Sequence, residues 1–171
     1  MTVSVIMYKR LGISNTDIAL YTSWLYLPWI IKPLWSPLVD LLSTRRNWIV
    51  VMQLFVGAAF AAIALTLPTD DFFRYTLAAF WLVAFSSATH DIAADGFYIL
   101  ALDDHDQAWF VGIRNTFYRL AMITGQGLLV MVAGWLETST GKVPLAWSVA
   151  FYLLAAIYIL LFAWHRRALP R

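Results

Sequence analysis

The stretch WIVVMQLFVGAAFAAIALTL, residues 48–67, contains twenty consecutive residues without a charged side chain. A helix of about 20 mostly apolar residues is long enough to cross the hydrocarbon core of a bilayer. The apolar residues of this stretch do not alternate with polar ones, as they would in a strand of a membrane barrel. A membrane-spanning helix is therefore predicted, because an isolated strand would leave its backbone groups unpaired in lipid.

The composition of the whole chain agrees with this prediction. Of its 171 residues, 61% are hydrophobic and only 13% are charged, whereas an ordinary soluble domain has about 25% charged residues. So few polar residues cannot cover a water-exposed surface, which nearly excludes a soluble globular protein and also a disordered one. The chain has no cysteine, which excludes disulfides, thiolate metal sites and a cysteine nucleophile.

Other classes of partner and cofactor find little support. The net charge is +2, but the basic residues form no single patch, so no nucleic-acid partner is predicted. A metal site at His90, Asp91 and Asp95 is not predicted, because on a helix His90 points about 100° away from Asp91. The glycines are too sparse for a phosphate-binding loop. We therefore predict no metal and no cofactor.

Four further stretches resemble residues 48–67 in length and hydropathy, and the connections between them are short. Short connections make sequential helices antiparallel neighbours. The expected fold is a single all-α transmembrane domain over residues 1–171, with five spans at about 18–42, 48–67, 72–102, 108–136 and 145–164.

The distribution of lysine and arginine predicts the orientation, since cytoplasmic loops are enriched in these residues. One side of the membrane receives more of them, which places the loop between the first two spans and the C-terminus in the cytoplasm of a plasma (inner) membrane protein. The N-terminal eight residues are too short to span, and we expect them to be the end of a further helix upstream. The basic residues on the richer side are Arg45, Arg46, Arg166, Arg167 and Arg171, against Lys9, Arg10, Arg74 and Lys142 on the other.

Several ionisable residues fall inside the predicted spans, where each costs at least ~2.5–3.5 kcal/mol at the bilayer centre. If the third and fourth spans form a hairpin centred on His105, Asp91 lies level with Arg119 and Asp95 level with Arg114. Two interpretations remain open. The pairs either lock the hairpin, each charge cancelling its partner, or they line a polar path for substrate or protons. Asp91 and Asp95 are four residues apart and share one helix face.

Lys32 lies in the middle of the first span, among Pro28, Pro33 and Pro37. Proline removes a backbone donor and kinks a helix. Lys32 is about 15 Å along the axis from the end of the span, which is too far for its ammonium group to reach the interface. We therefore expect it to pair with an acid or to face a water-filled cavity, where it could hold an anionic group.

These segments resemble a known family when they are taken together. The run Lys32-Pro-Leu-Trp-Ser-Pro-Leu-Val-Asp40 with Arg45-Arg46 is similar to the second helix and following loop of major facilitator transporters, most of all the AmpG-type muropeptide permeases. His90-Asp-Ile-Ala-Ala-Asp-Gly96 resembles the fourth-helix motif of those permeases. Gly112-Ile-Arg114 and the run Tyr118 to Gly125 resemble their fifth helix.

The resemblance implies a proton-coupled secondary transporter with twelve helices in two halves, of which this chain would hold helices two to six. Such a chain would need the lipid bilayer, a small-molecule substrate and a C-terminal half as partners. The substrate and proton pathway would contain Lys32, Asp91, Asp95 and Arg119, and a cytoplasmic gate would contain Asp40, Arg45, Arg46 and Arg114. Two alternatives are a membrane scaffold or accessory subunit without a pathway, and an intramembrane enzyme that acts on lipid-linked glycan.

Overall fold

The computed structural model describes residues 2–170, and these fold into α-helices and one 3-10 turn without a strand. Arg171, which the charge count placed in the cytoplasm, and Met1 lie outside the described residues. The elements are α1 (Thr2–Arg10), α2 (Asn15–Trp24), α3 (Leu27–Ile31), the 3-10 turn Lys32–Leu34, α4 (Ser36–Leu42), α5 (Arg45–Thr66), α6 (Phe72–Ala101), α7 (Asp104–Thr140) and α8 (Val143–Ala168).

Four helices in the described part of the chain, α5 to α8, are long and apolar enough to cross a membrane. Their ends follow local rules of helix termination. The hydroxyl of Thr44 accepts a hydrogen bond from the backbone N–H of Asn47 at 3.2 Å and caps the start of α5. α7 ends at Gly141, whose φ of 68° is the left-handed conformation that glycine adopts without strain. The chain is therefore a multi-pass helical membrane protein.

The predicted first span, residues 18–42, is not one helix. The structure divides it into α2, α3, the 3-10 turn and α4, so the expected five continuous spans are reduced to four. Three of these short elements have a proline as their second residue: Pro28 in α3, Pro33 in the 3-10 turn and Pro37 in α4. Proline is tolerated there because the first turn of a helix does not use its N–H groups within the helix. The breaks place Lys32 at an interruption of the helix.

α5 lies at the centre of the bundle and packs along α6 on one side and along α8 on the other. α7 packs on α8 and on α1, and not along α6, which corrects the prediction of a closely packed hairpin between these two sequential helices. Lipid solvates apolar side chains as well as a protein interior does, so a short connection alone does not force two membrane helices together. The apolar core contains Met7, Tyr8, Ile18, Ile63, Ala64, Leu67, Leu129, Ala133, Trp147, Ala150 and Phe151.

The two ends of the bundle carry different groups of basic residues. The guanidinium of Arg46 donates to the carbonyl of Leu169 at 3.0 Å and to that of Arg166 at 2.5 Å, where the last carbonyls of α8 lack helical partners. Arg10 forms an ion pair with Glu137 at the opposite end. The structure therefore places the Arg46 loop and the end of α8 on one side, as the charge count predicted.

A buried amide joins the three central helices. Gln53 of α5 is 4% exposed. Its Nε2 lies 2.7 Å from Nδ1 of His165 on α8 and 3.4 Å from Nε2 of His90 on α6. The Oε1 of Gln53 also lies 3.1 Å from Nδ1 of His165, so the amide can donate to a neutral imidazole or accept from a protonated one.

We expect the substitution Gln53→Leu to lower the free energy of unfolding in detergent by about 0.5–1.5 kcal/mol, the range found for hydrogen bonds between membrane helices. The change leaves two imidazoles without this partner in an apolar surrounding. Thermal unfolding of the purified protein measures the effect. Gln126→Leu is the matched control, since the amide of Gln126 contacts only the weakly accepting sulfur of Met122. An equal loss in both variants would contradict the prediction.

Candidate functional site

Four ionisable side chains from three parts of the chain meet beside α6, and we call Lys32, Asp91, Asp95 and Arg114 the charge cluster. Lys32 begins the 3-10 turn at the break in the first predicted span, and its Nζ lies 2.8 Å from Oδ2 of Asp91. Arg114 of α7 contributes the second cation, with Nη2 3.1 Å from Oδ1 of Asp91. The two carboxylate oxygens of Asp91 are therefore each held by a different cation.

Arg114 also joins α7 to a second acid and to an aromatic ring on α6. Its Nη1 forms an ion pair with Asp95, and its guanidinium carbon lies 5.7 Å from the centre of the Tyr98 ring. An arginine over an aromatic face is held by the ring quadrupole. Because α6 and α7 do not pack closely along their lengths, the two helices are connected here by side-chain contacts, which include that of the Tyr98 ring with the Phe110 ring, whose centres lie 5.3 Å apart.

The charge cluster is open rather than sealed in the protein. Its side chains are 32–39% exposed, although Asp91, Asp95 and Arg114 belong to helices that are long and apolar enough to cross a membrane. Charged groups within such helices are usually paired or face a water-filled cavity. With two cations and two anions the cluster has no net charge, and its partial exposure leaves room for a fifth charged group.

The predicted pairing of Asp91 with Arg119 is wrong, and the connection between α6 and α7 explains the error. That connection contains only residues 102 and 103. α7 begins this early because Asp103 caps its first turn, with Oδ1 accepting a hydrogen bond from the N–H of Asp106 at 2.9 Å. Asp91 lies ten residues before the end of α6 and Arg114 ten residues after the start of α7. These two residues are therefore level, and Arg119 is further from the turn.

Arg119 lies on the exposed surface of α7. It forms no ion pair with any side chain that the structure describes. The predicted pairing of Asp95 with Arg114 is confirmed. The expectation that Lys32 pairs with an acid is also confirmed, with Asp91 as that acid.

The residues expected in a cytoplasmic gate separate into three environments. Asp40 at the end of α4 pairs with Arg45 at the start of α5, with 3.1 Å between Oδ1 and Nη2. Arg46 caps α8 instead of joining this pair. Arg114 belongs to the charge cluster and not to this group.

Two contacts were missed from the sequence. Tyr98 follows Asp91 and Asp95 at helical spacing, so all three share a face of α6, and this periodicity could have identified it as a neighbour of Arg114. The position of His90 against Gln53 and His165 had no comparable signal, since those residues are far apart in sequence. Within the described side chains, no group of three or more histidine, aspartate or glutamate residues could hold a metal ion.

Comparisons with known proteins extend over most of the chain. It is 29% identical over 137 residues to the anhydromuropeptide permease of Escherichia coli (strain K12), an alignment that covers 77% of this chain and 26% of that protein. It is 32% identical over 145 residues to an uncharacterized protein of Haemophilus influenzae, covering 80% of this chain and 32% of that protein. The chain thus spans about a quarter to a third of the length of these relatives.

A more distant relative is an uncharacterized protein of Schizosaccharomyces pombe, 25% identical over 130 residues, which cover 67% of this chain and 25% of that protein. No solved structure matches the chain. The sequence profile of the BT1 family matches residues 1–163. Because this match includes all four long helices except the last few residues of α8, the chain belongs to the BT1 family.

Proposed function

We propose that this chain forms part of a secondary active transporter of the major facilitator type in the inner membrane. The transporter takes up a small amphiphilic or sugar-peptide solute, such as a muropeptide, together with protons. The permease from Escherichia coli supports the class of substrate, since its name describes a transporter of anhydromuropeptides. The broken first span and α5 to α8 would be helices two to six of a six-helix half.

The observation that supports proton coupling is that one carboxylate holds two cations. Lys32 and Arg114 each contact a different oxygen of Asp91. A proton on Asp91 removes the negative charge that attracts both of them and occupies one of the two oxygens. Lys32 then has no acid partner among the described side chains and Arg114 keeps only Asp95, so the two cations together can bind another anion.

The charges balance in this scheme. The unprotonated cluster is neutral, and one proton on Asp91 gives it a net charge of +1. A carboxylate of the solute restores neutrality, as the peptide part of a sugar-peptide can do. Loading therefore needs both a proton and an anionic solute, because either one alone leaves an unpaired charge at a depth where unpaired charges are costly.

The remaining candidate residues have supporting roles in this proposal. Asp40 and Arg45 would close the cytoplasmic end, with Arg46 holding the end of α8 beside them. Asn115, Arg119 and Gln126 repeat at helical spacing along the exposed part of α7, and this polar stripe would face the solute pathway or a C-terminal half of the transporter. Arg119 thus remains part of the proposed pathway, as a contact to the solute or to that half rather than to Asp91.

The test is uptake of a labelled muropeptide by proteoliposomes that contain the complete gene product. An inward-directed proton gradient should raise the initial rate several-fold above that in vesicles without a gradient, and a protonophore should remove the increase. A sugar-peptide whose carboxylates are amidated should be a poor substrate. Binding of the solute without uptake would favour the accessory-subunit alternative, and cleavage of a lipid-linked glycan would favour the enzyme.

A further inference from the structure

Gly96 lies directly under the guanidinium of Arg45. It is a buried residue of α6, and a Cβ placed on it would lie 2.7 Å from Nε of Arg45 and would overlap the Cζ and Nη1 atoms. No other residue type leaves this space free, because every other amino acid has a Cβ. The φ angle of Gly96 is not positive, so the close approach of Arg45 is the feature that needs glycine here.

Arg45 connects three helices through this contact. It is the first residue of α5, it pairs with Asp40 of α4 at 3.1 Å, and it lies against Gly96 of α6. The Arg45 side chain is 25% exposed, whereas that of Asp40 is 47% exposed. Arg45, the more buried partner, thus lies against α6, and it holds the more exposed Asp40 through the ion pair. We call these three residues the arginine seat.

The arginine seat and the charge cluster occupy the same short segment of α6. Gly96 follows Asp95, which pairs with Arg114. A small rotation or shift of this part of α6 therefore acts on the ion pairs of the cluster and on the space available to Arg45 at the same time. The contact between Arg45 and Gly96, at the predicted cytoplasmic end, therefore lies next to the residues that would bind the proton and the solute.

We propose that Gly96 is a positioning residue for transport, because its missing side chain provides the space in which Arg45 holds Asp40 and keeps α4 closed against α6. This inference rests on the proposed transport function and assigns it a residue that does not touch the solute. The atoms that a side chain at position 96 would displace are the far end of a flexible arginine. The variant Gly96→Ala should therefore fold, while its Arg45 loses the position from which it reaches Asp40.

The experiment uses a single reporter thiol. Val39 precedes Asp40, is 2% exposed and packs against Ala93 of α6, and these 171 residues contain no cysteine. In the detergent-purified full-length protein, with Val39→Cys and with any cysteine outside these residues replaced by serine, we compare the rate of labelling by a water-soluble maleimide with and without Gly96→Ala. Labelling should become about two- to fivefold faster, the range that corresponds to loss of one partly exposed ion pair.

A double-mutant comparison identifies the mechanism. Arg45→Ala should accelerate labelling to a similar extent, and Gly96→Ala combined with Arg45→Ala should give no further increase, because both changes remove the same contact. Gly134→Ala is the matched control, since no atom lies within 4 Å of a Cβ at that position. Additive effects, or no effect of Gly96→Ala beside a clear effect of Arg45→Ala, would overturn the proposal, as would unchanged labelling in both.

Uptake provides a separate measurement. If transport occurs as proposed, Gly96→Ala should change the maximal rate about two- to fivefold and leave the solute concentration for half-maximal uptake unchanged, since Gly96 is outside the charge cluster. A change in the half-saturating concentration alone would contradict a positioning role. Absence of uptake by the unmodified protein would refute the proposed function, while the labelling rates would still report whether Gly96 seats Arg45.

Discussion

Proton-driven uptake by the Asp91→Asn variant should fall about 30-fold below that of the unmodified protein, which corresponds to about 2 kcal/mol. Asparagine keeps the shape of the side chain but cannot take up a proton or neutralise Lys32 and Arg114. Leaving a charge unpaired in the interior costs about 3–5 kcal/mol when it is fully buried. We expect a smaller value because the Asp91 side chain is 35% exposed.

Initial rates in proteoliposomes with an imposed proton gradient measure this effect. Asp70→Asn is the matched control, since Asp70 is an exposed residue of the connection before α6 and the same chemical change there should leave the rate within twofold, as surface substitutions usually do. Uptake by Asp91→Asn at more than half the unmodified rate would show that Asp91 does not carry the coupling.

The combination of Lys32→Gln with Asp91→Asn separates the two interpretations of the ion pairs. If the pair of Lys32 and Asp91 only locks the helices together, removing both charges restores a neutral contact, and uptake should recover. If Asp91 exchanges its cations for a proton, the double variant should remain as slow as Asp91→Asn, although its thermal stability recovers. Both quantities can be measured on the same preparations.

The sequence predicted the class of fold well because the membrane imposes simple rules on it. Length and hydropathy were sufficient for α5 to α8, whose backbone groups can be satisfied only within each helix. The same rules were insufficient for residues 18–42, where the average hydropathy is high but Pro28, Pro33 and Pro37 fall at intervals too short for a continuous helix. The number of apolar residues identifies segments that are long enough to span the membrane, and the spacing of the prolines decides whether such a segment forms one helix.

The charged residues were identified correctly as a group, but their partners were only partly predicted. The prediction that Asp95 pairs with Arg114 was correct although the turn was misplaced, because the long arginine side chain reaches both acids of α6. The pair of Asp91 and Arg119 did not, since a cap at Asp103 starts α7 earlier than the apolar pattern suggested. Lys32 reaches Asp91 from a segment 59 residues away, and such long-range contacts depend on packing that local spacing does not encode.

Two of the contacts that could not be predicted from the sequence lie on the side of α6 that faces α5. Gly96 and His90 belong to a motif that was recognised only as a run of residues. The structure gives the two residues separate partners, Arg45 for one and Gln53 for the other. The charge cluster thus lies on a segment of α6 that α5 contacts at Gly96 and His90 and that Lys32 and Arg114 contact at Asp91.

We expect Phe151→Ala to lower the free energy of unfolding by about 2 kcal/mol, since it leaves a cavity of roughly 100 Å³ at ~24 cal/mol per Å³. Phe151 of α8 is 1% exposed. Its ring centre lies 5.9 Å from that of Phe60 on α5 and 5.8 Å from that of Phe80 on α6. The ring therefore fills the space where the three central helices meet.

The expected loss is smaller than the ~3–5 kcal/mol typical of Phe→Ala in soluble cores, because a membrane helix does not transfer its apolar side chains from water when it packs. Chemical unfolding in mixed micelles measures the difference. Leu160→Ala on the same helix is the control, since Leu160 is 69% exposed and its loss leaves no internal cavity. A loss below about 0.5 kcal/mol for Phe151→Ala, or an equal loss for Leu160→Ala, would mean that packing at this junction does not hold α5, α6 and α8 together.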